Sequence, residues 1–171
     1  MLKKLETEER NATWQEQEIL SKYVGWGGIP EAFDEKRAQW ANEYQELKET
    51  LTEEEYIAAR ASTLNAHFTS PAIIRGIYAA LERMGFQGGN ILEPAMGVGN
   101  FFGMLPTTLL GSRLYGIELD SISGRIAQKL YPMANITVAG FETTNQRDFY
   151  DVAVGNVPFG NYKVNDLRTI G

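Results

Sequence analysis

Asn90-Ile91-Leu92-Glu93-Pro94-Ala95-Met96-Gly97-Val98-Gly99-Asn100-Phe101-Phe102 is the stretch on which the fold turns. Ile91 and Leu92 read as a short buried strand. Glu93-Pro94 ends it, because proline cannot donate to a ladder and holds the residue before it extended. Gly97 and Gly99 then allow a tight turn and a close approach of backbone to a ligand. A helix is expected from about Asn100, with its free N–H groups aimed back at that ligand. Strand, glycine loop and helix start together describe a nucleotide-type site at the carboxyl edge of a parallel sheet. Taken alone, such a loop is a weak signal: it can be a purely structural turn, and otherwise it says only that a nucleotide-like cofactor binds.

Working outward, Ser70-Pro71 reads as an N-cap with proline at the first helical position. The helix carries Ile73, Ile74, Ile77, Tyr78, Leu81 and Met84 at helical spacing, and Gly85 stops it. Gly88-Gly89 leads into the strand at 90–93, and a short helix at 100–105 ends at Pro106. Further strands are expected at 113–118, 135–139 and 150–155, with a helix capped by Asp120 or Ser121 running to Leu130. Strands alternating with helices argue for an α/β fold with a parallel sheet. Residues 1–62 are helical in character. A helix is expected over 13–23, a break at Gly25-Trp26-Gly27-Gly28-Ile29-Pro30, and a second helix from Glu31 or Asp34 to Leu51. A third opens at Thr52, where Glu55 completes a capping box. Trp14, Trp26 and Trp40 are expected to pack these helices together, the alternative being a role for the G-W-G-G turn as a docking or DNA-facing element. The organisation is thus a helical N-terminal region (1–62) and an α/β core (63–171), with 61–65 as the link.

The 171 residues suffice for one domain with a helical appendage. There is no cysteine and a single histidine, His67. Disulfides and thiolate metal sites are therefore excluded, and no metal site is expected. No apolar run is long enough to span a bilayer, and the charged stretch at 1–10 is unlike a signal peptide. A cytoplasmic location with no membrane partner is expected. Net charge is −6 and lies wholly in residues 1–60, which hold 8 Lys/Arg against 14 Asp/Glu; residues 61–171 balance to zero. Neither half offers the basic surface of a freestanding nucleic-acid binder.

Glu118 ends the second expected strand, 19 residues beyond Gly99. A carboxylate there is placed to accept hydrogen bonds from two ribose hydroxyls; the plainer reading is a solvated strand-end acid. Loop and acid alone do not separate a nicotinamide from S-adenosylmethionine. Gly97-x-Gly99-x-x-x-Gly103 approaches the dinucleotide fingerprint, but Glu93-Pro94 before the glycines and the lack of a substrate domain disfavour a dehydrogenase. Asn156-Val157-Pro158-Phe159, directly after the fourth strand, tips the balance. Methyl transfer to an exocyclic amine must activate a lone pair delocalised into the base. Two acceptors on the amine hydrogens, the Asn156 side-chain oxygen and the Val157 carbonyl, would stabilise the developing charge. Pro158 holds Val157 extended, and Phe159 offers a face on which a flipped base can stack.

In order, H-F-T-S-P, I-L-E-P-A-M-G-V-G-N-F-F, Y-G-I-E-L-D and G-N-V-P-F-G resemble the DNA adenine-N6 methyltransferases of class I fold. With K-Y-V-G-W-G-G-I-P-E-A-F-D, the wording is more similar still to methylase-like domains of large helicase–methylase polypeptides of conjugative elements and phages. The resemblance implies a Rossmann-like core and S-adenosylmethionine as cofactor. It implies that Glu93, Ala95, Gly97 and Gly99 line the methionine end, Glu118 holds the ribose, and Leu119 flanks the adenine. Phe68 and Thr69 would approach from the segment before the first core helix, with Ser70 intervening before the proline. Phe141 would lie near the adenine. Asn156, Val157, Pro158 and Phe159 would be catalytic. Two departures stand out: the motif reads N-V-P-F rather than N-P-P-F, and the sequence stops about eleven residues after Gly160. A truncated sheet is expected, with the fourth strand at an open edge that the chain's own tail or a second copy, as a homodimer, would cover. DNA would be engaged through a longer polypeptide, and this stretch alone should not methylate it. The rival expectations are a non-catalytic cofactor- or DNA-binding module of a helicase-type protein, and a protein (glutamine) or RNA methyltransferase.

Overall fold

The computed structural model describes residues 1–63 and 69–157. Four helices form the N-terminal region: α1 (Leu2–Thr7), α2 (Trp14–Leu20), α3 (Ala41–Thr50) and α4 (Glu53–Ser62). Both α2 and α4 open on reciprocal capping boxes, Thr13 with Glu16 and Thr52 with Glu55. The continuous helix expected from 31 or 34 to 51 is not formed. Two short 3-10 turns, Pro30–Phe33 and Ala38–Trp40, precede α3 instead. The reason is local: the Asp34 carboxylate accepts the Lys36 N–H at 3.0 Å, an alternative to helical bonding that short acidic side chains offer.

Trp26 and Trp40 pack half-buried against the regional core, as expected, but Trp14 does not and is 73% exposed. It occupies the first turn of α2, whose buried residue is Leu20 at the other end. Leu5, Leu20, Phe33, Leu47, Tyr56 and Ala59 bury one another together with Val98, Ile122 and Ile126 from the sheet region. The helical region and the sheet therefore share a hydrophobic core.

The sheet holds β1 (Asn90–Pro94), β2 (Arg113–Glu118), β3 (Asn135–Val138) and β4 (Val152–Ala153), all parallel, in the order β3-β2-β1-β4. Three helices complete this part: α5 (Pro71–Arg83), α6 (Asn100–Gly103) and α7 (Ser121–Leu130). Ile74 and Tyr78 of α5 are buried with Ile91, Phe101, Leu109 and Val154, while Ile73 and Met84 face outward. Met96, Phe102 and Ala127 form a smaller cluster with Leu114, Tyr131 and Ile136.

Among the described residues β4 lies at an edge, as expected, yet its register with β1 covers Val152 and Ala153, flanked by N–H bonds from Asp151 and Val154, and not the whole of 150–155. Tyr150 instead packs edge-on against Tyr115 and Phe149, at centroid distances of 5.5 and 5.1 Å. The Asp151 carboxylate accepts the Asn90 N–H at 2.7 Å. α6 also stops short of Leu105, since Met104 and Leu105 bond three residues back. Because β2 and β3 lie on one side of β1 and β4 on the other, the chain reverses its direction across the sheet at β1. Open α/β sheets bind ligands outside the carboxyl end of the strand where this happens. Among the described residues no helix is long and apolar enough to cross a membrane, and no group of three His, Cys, Asp or Glu is placed to hold a metal.

Candidate cofactor site

The loop leaving β1 turns through three residues with positive φ: Ala95 (+53°), Gly97 (+57°) and Gly99 (+84°). Gly97 and Gly99 take this conformation freely, whereas Ala95 adopts it against the steric preference of an L-residue. The two glycines serve different ends. A Cβ at Gly99 would stand 2.6 Å from the Tyr131 ring, so this glycine is needed for packing. A Cβ at Gly97 would meet nothing within 4 Å, so its outer side is open to a ligand. Met96 N–H donates to the Ile117 carbonyl and the Tyr131 hydroxyl to the Gly99 carbonyl, fixing the loop against β2 and α7.

Glu118, the last residue of β2, accepts the Gly97 N–H at 2.6 Å on one carboxylate oxygen and the Asp120 N–H at 2.7 Å on the other. Its carboxylate thus ties the glycine loop to the corner between β2 and α7. Burial raises its pKa, and the N–H groups of Asp120 and Gly97 oppose that rise. Asp120 caps α7, accepting from the Ile122 and Ser123 N–H groups and from the Ser123 hydroxyl.

Glu93 is 3% exposed. One of its oxygens accepts the Phe101 N–H at 3.5 Å, and the other has no partner among the described residues. Burial pushes its carboxyl up to about 8; the Phe101 and Phe102 N–H groups pull the other way, and the charge of Glu118 reinforces the rise. The expectation that the first N–H groups of α6 point at a ligand is corrected for Phe101, whose N–H points at the buried Glu93 carboxylate instead. Among the described residues, Glu93, Glu118 and Asp120 take part in no ion pair. The site gathers three acids without a matching cation.

Leu119 and Phe141 follow β2 and β3 and are 73% and 53% exposed, two apolar side chains at the exits of neighbouring strands. Asn156 is half-buried and Val157 exposed beyond β4. Gly155 lies against the end of β1, where an added Cβ would be 3.2 Å from the Pro94 carbonyl oxygen. The structure thus brings Glu93, Ala95, Gly97, Gly99 and Glu118 into one bonded loop-and-corner unit and sets the chain before Asn156 beside it. Thr69 is half-buried, and the neighbouring Ser70 hydroxyl is used as the cap of α5. No hydrogen bond links Thr69 or Phe141 to the loop among the described residues. Phe68, Pro158 and Phe159 lie outside those residues.

Sequence reasoning missed the left-handed Ala95, for which an alanine gives no signal, and the Tyr131 clamp. It anticipated Asp120 as a cap but not its place in the corner beside Glu118.

A parallel sheet with flanking helices, a glycine loop after the central β1 and an acid closing β2 is an α/β arrangement compatible with a Rossmann-like methyltransferase core. Over 93 residues, 54% of this chain, the sequence is 33% identical to the type II methyltransferase M.CvrRI of Paramecium bursaria Chlorella virus XZ-6E. Over 101 residues, 57% of the chain, it is 34% identical to the defense against restriction protein B of Escherichia phage P1. The aligned stretches span only 24% and 4% of those two proteins. No family model matches the chain, and no solved structure matches it. The relationship is methyltransferase-like.

Proposed function

We propose that this chain is the cofactor-binding part of an S-adenosylmethionine-dependent methyltransferase that acts on the exocyclic amine of adenine in DNA. The observation that carries the reading is the acidic site itself. Glu93, Glu118 and Asp120 gather at the glycine loop with no ion-pair partner among the described residues. Such a corner disfavours the pyrophosphate of a dinucleotide and favours a ligand bearing an ammonium and a sulfonium. The open side of Gly97 and the unpartnered Glu93 oxygen fit such a ligand. Relatedness to a type II methyltransferase supports the same class.

When bound, S-adenosylmethionine supplies an electrophilic methyl group on a sulfonium sulfur. Glu118 keeps lone pairs beyond those used by Gly97 and Asp120, and these accept the ribose hydroxyls. Leu119 and Phe141 would flank the adenine. Glu93, beneath the loop, offers negative charge to the methionine end. Asn156 and the Val157 carbonyl would accept hydrogen bonds from the target amine and orient its lone pair for transfer.

Titration with S-adenosylmethionine and NAD side by side tests the cofactor. Only the former should bind, and Glu118→Ala should weaken it by roughly 1.5–3 kcal/mol, about 10- to 100-fold. An unchanged dissociation constant would remove the ribose role. Because the alignments cover small shares of the related proteins, turnover is best assayed in the longest polypeptide containing this chain. There Asn156→Ala should lower methyl transfer to DNA at least about a hundredfold while cofactor affinity moves much less. Equal loss in both would make Asn156 structural, and a polypeptide that binds cofactor but never methylates would be a binding module. The same reading includes self-association through the β4 edge, which light scattering would detect.

A further inference from the structure

The turn that follows α2, Tyr23-Val24-Gly25-Trp26-Gly27-Gly28, has no part in the reading above. Two of its polar atoms, the Tyr23 hydroxyl and the Trp26 indole nitrogen, are buried, and neither makes a hydrogen bond of normal geometry among the described residues. Buried polar groups are nearly always paired, and the partners within reach of the Tyr23 hydroxyl are the Trp26 N–H and Ser123. The rings meet edge-on at a centroid distance of 6.1 Å, and Trp26 meets Phe33 in the same way at 5.5 Å. The pair is therefore held from behind by the helical region.

In front, the turn meets the cofactor corner in two ways. Tyr23 and Trp26 pack on the cluster that contains Val98, the residue between Gly97 and Gly99, and Ile122 of α7. The Tyr23 hydroxyl also faces Ser123 and feels the charges of Asp120 and Glu118, which, with burial as the larger cause, raise its pKa. From Ser123 the bonds continue to the loop: the Ser123 hydroxyl donates to Asp120, and the Asp120 and Gly97 N–H groups both donate to Glu118.

We infer that Tyr23 and Trp26 are positioning residues for the cofactor site, setting the Ser123–Asp120–Glu118 corner and, through Val98 and Gly97, the glycine loop. The side chains of a helical segment some seventy residues upstream thus become part of the site's frame. The consequence for ligand affinity rests on the S-adenosylmethionine reading; the positioning itself does not.

Tyr23→Phe removes one oxygen and keeps the ring. If the hydroxyl is merely packed, losing a buried and poorly paired polar atom leaves stability equal or higher and changes nothing at the corner. If it positions the corner, amide hydrogen exchange at Gly97 and Asp120 in the ligand-free chain should speed at least about threefold, with the exchange of β1 and β2 unchanged. Affinity for S-adenosylhomocysteine should fall about three- to tenfold at an undiminished melting temperature. Trp26→Phe should give the same change in exchange and affinity, with some loss of melting temperature from the smaller ring. Unchanged exchange at Gly97 and Asp120 in both variants would overturn the inference whatever the ligand does. Faster exchange there, in a chain that binds no S-adenosylhomocysteine, would uphold the positioning while rejecting the cofactor reading.

Discussion

At the scale of a single residue, Glu93 governs the pH behaviour of the site. Its carboxyl titrates near 4.5 when exposed and near 8 in the folded chain, because burial disfavours the charge more than the Phe101 and Phe102 N–H groups favour it. Below about 4.5 it is protonated in both states and costs nothing. Between the two values the folded chain keeps a proton that the unfolded chain gives up. Stability contributed by the neutral form is therefore lost as pH rises, at up to about 1.4 kcal/mol per pH unit, until the change levels off above about 8. Glu93→Gln keeps the shape and removes the titration. Denaturant midpoints of the variant should change less than the parent's between pH 5 and 9, and parallel pH profiles would contradict this. A cationic ligand would favour the carboxylate, so cofactor binding near pH 7 should release a proton and tighten as pH rises towards 8. Calorimetry in two buffers of different ionisation enthalpy reads that proton directly.

At the scale of an element, the glycine loop divides into a structural and a ligand-facing half. Gly99→Ala would drive a methyl group into the Tyr131 ring at a φ of +84°, and should destabilise the chain by at least about 2 kcal/mol. Gly97→Ala pays only the backbone term, roughly 1–2 kcal/mol, yet puts its methyl where the ligand would lie. Its affinity loss should exceed its stability loss, and the reverse order would mean that the open side of Gly97 is not the ligand side. The sequence showed which residues form this loop, because proline and glycine act locally. It also gave β2 at its observed bounds and the capping box of α4. It did not show that Glu93 turns inward to meet α6, that Glu118 bonds back to Gly97, or that Trp14 faces solvent. Those facts depend on partners distant in sequence or on which end of a short helix is buried. β4 was overextended for a related reason: Tyr150 has strand character, but Tyr115 and Phe149 hold it outside the ladder.

At the scale of the whole molecule, the helical region and the sheet are joined by charge as well as by their common core. Arg125 of α7 donates to Glu55 of α4 at 2.6 Å and pairs with Glu6 of α1 at 3.4 Å, while Lys3 approaches Glu55 at 3.2 Å. Lys129 donates to the Arg10 carbonyl, and Gln17 to the carbonyls at the end of α7. Burial alone would raise the Glu55 pKa. The Thr52 N–H and the Arg125 and Lys3 cations outweigh it and bring the carboxyl down to about 2. This contribution to stability is complete above about 4.5 and is lost as pH falls towards 2, the opposite sign to that of Glu93. Arg125→Ala leaves a nearly buried carboxylate with Thr52 and Lys3 only, and should cost about 2 kcal/mol at pH 7. Because Val98, Ile122 and Ile126 share their core with Leu5, Leu20 and Phe33, that loss should be felt by the chain as one unit. Unfolding followed by far-ultraviolet circular dichroism and by tryptophan fluorescence should remain superimposable in the variant, with both midpoints lowered. All three tryptophans lie in the helical region, so a fluorescence transition that ran ahead of the dichroism would show that region peeling away from an intact sheet. The corner set by Tyr23 and Trp26 could not then be a fixed part of the site.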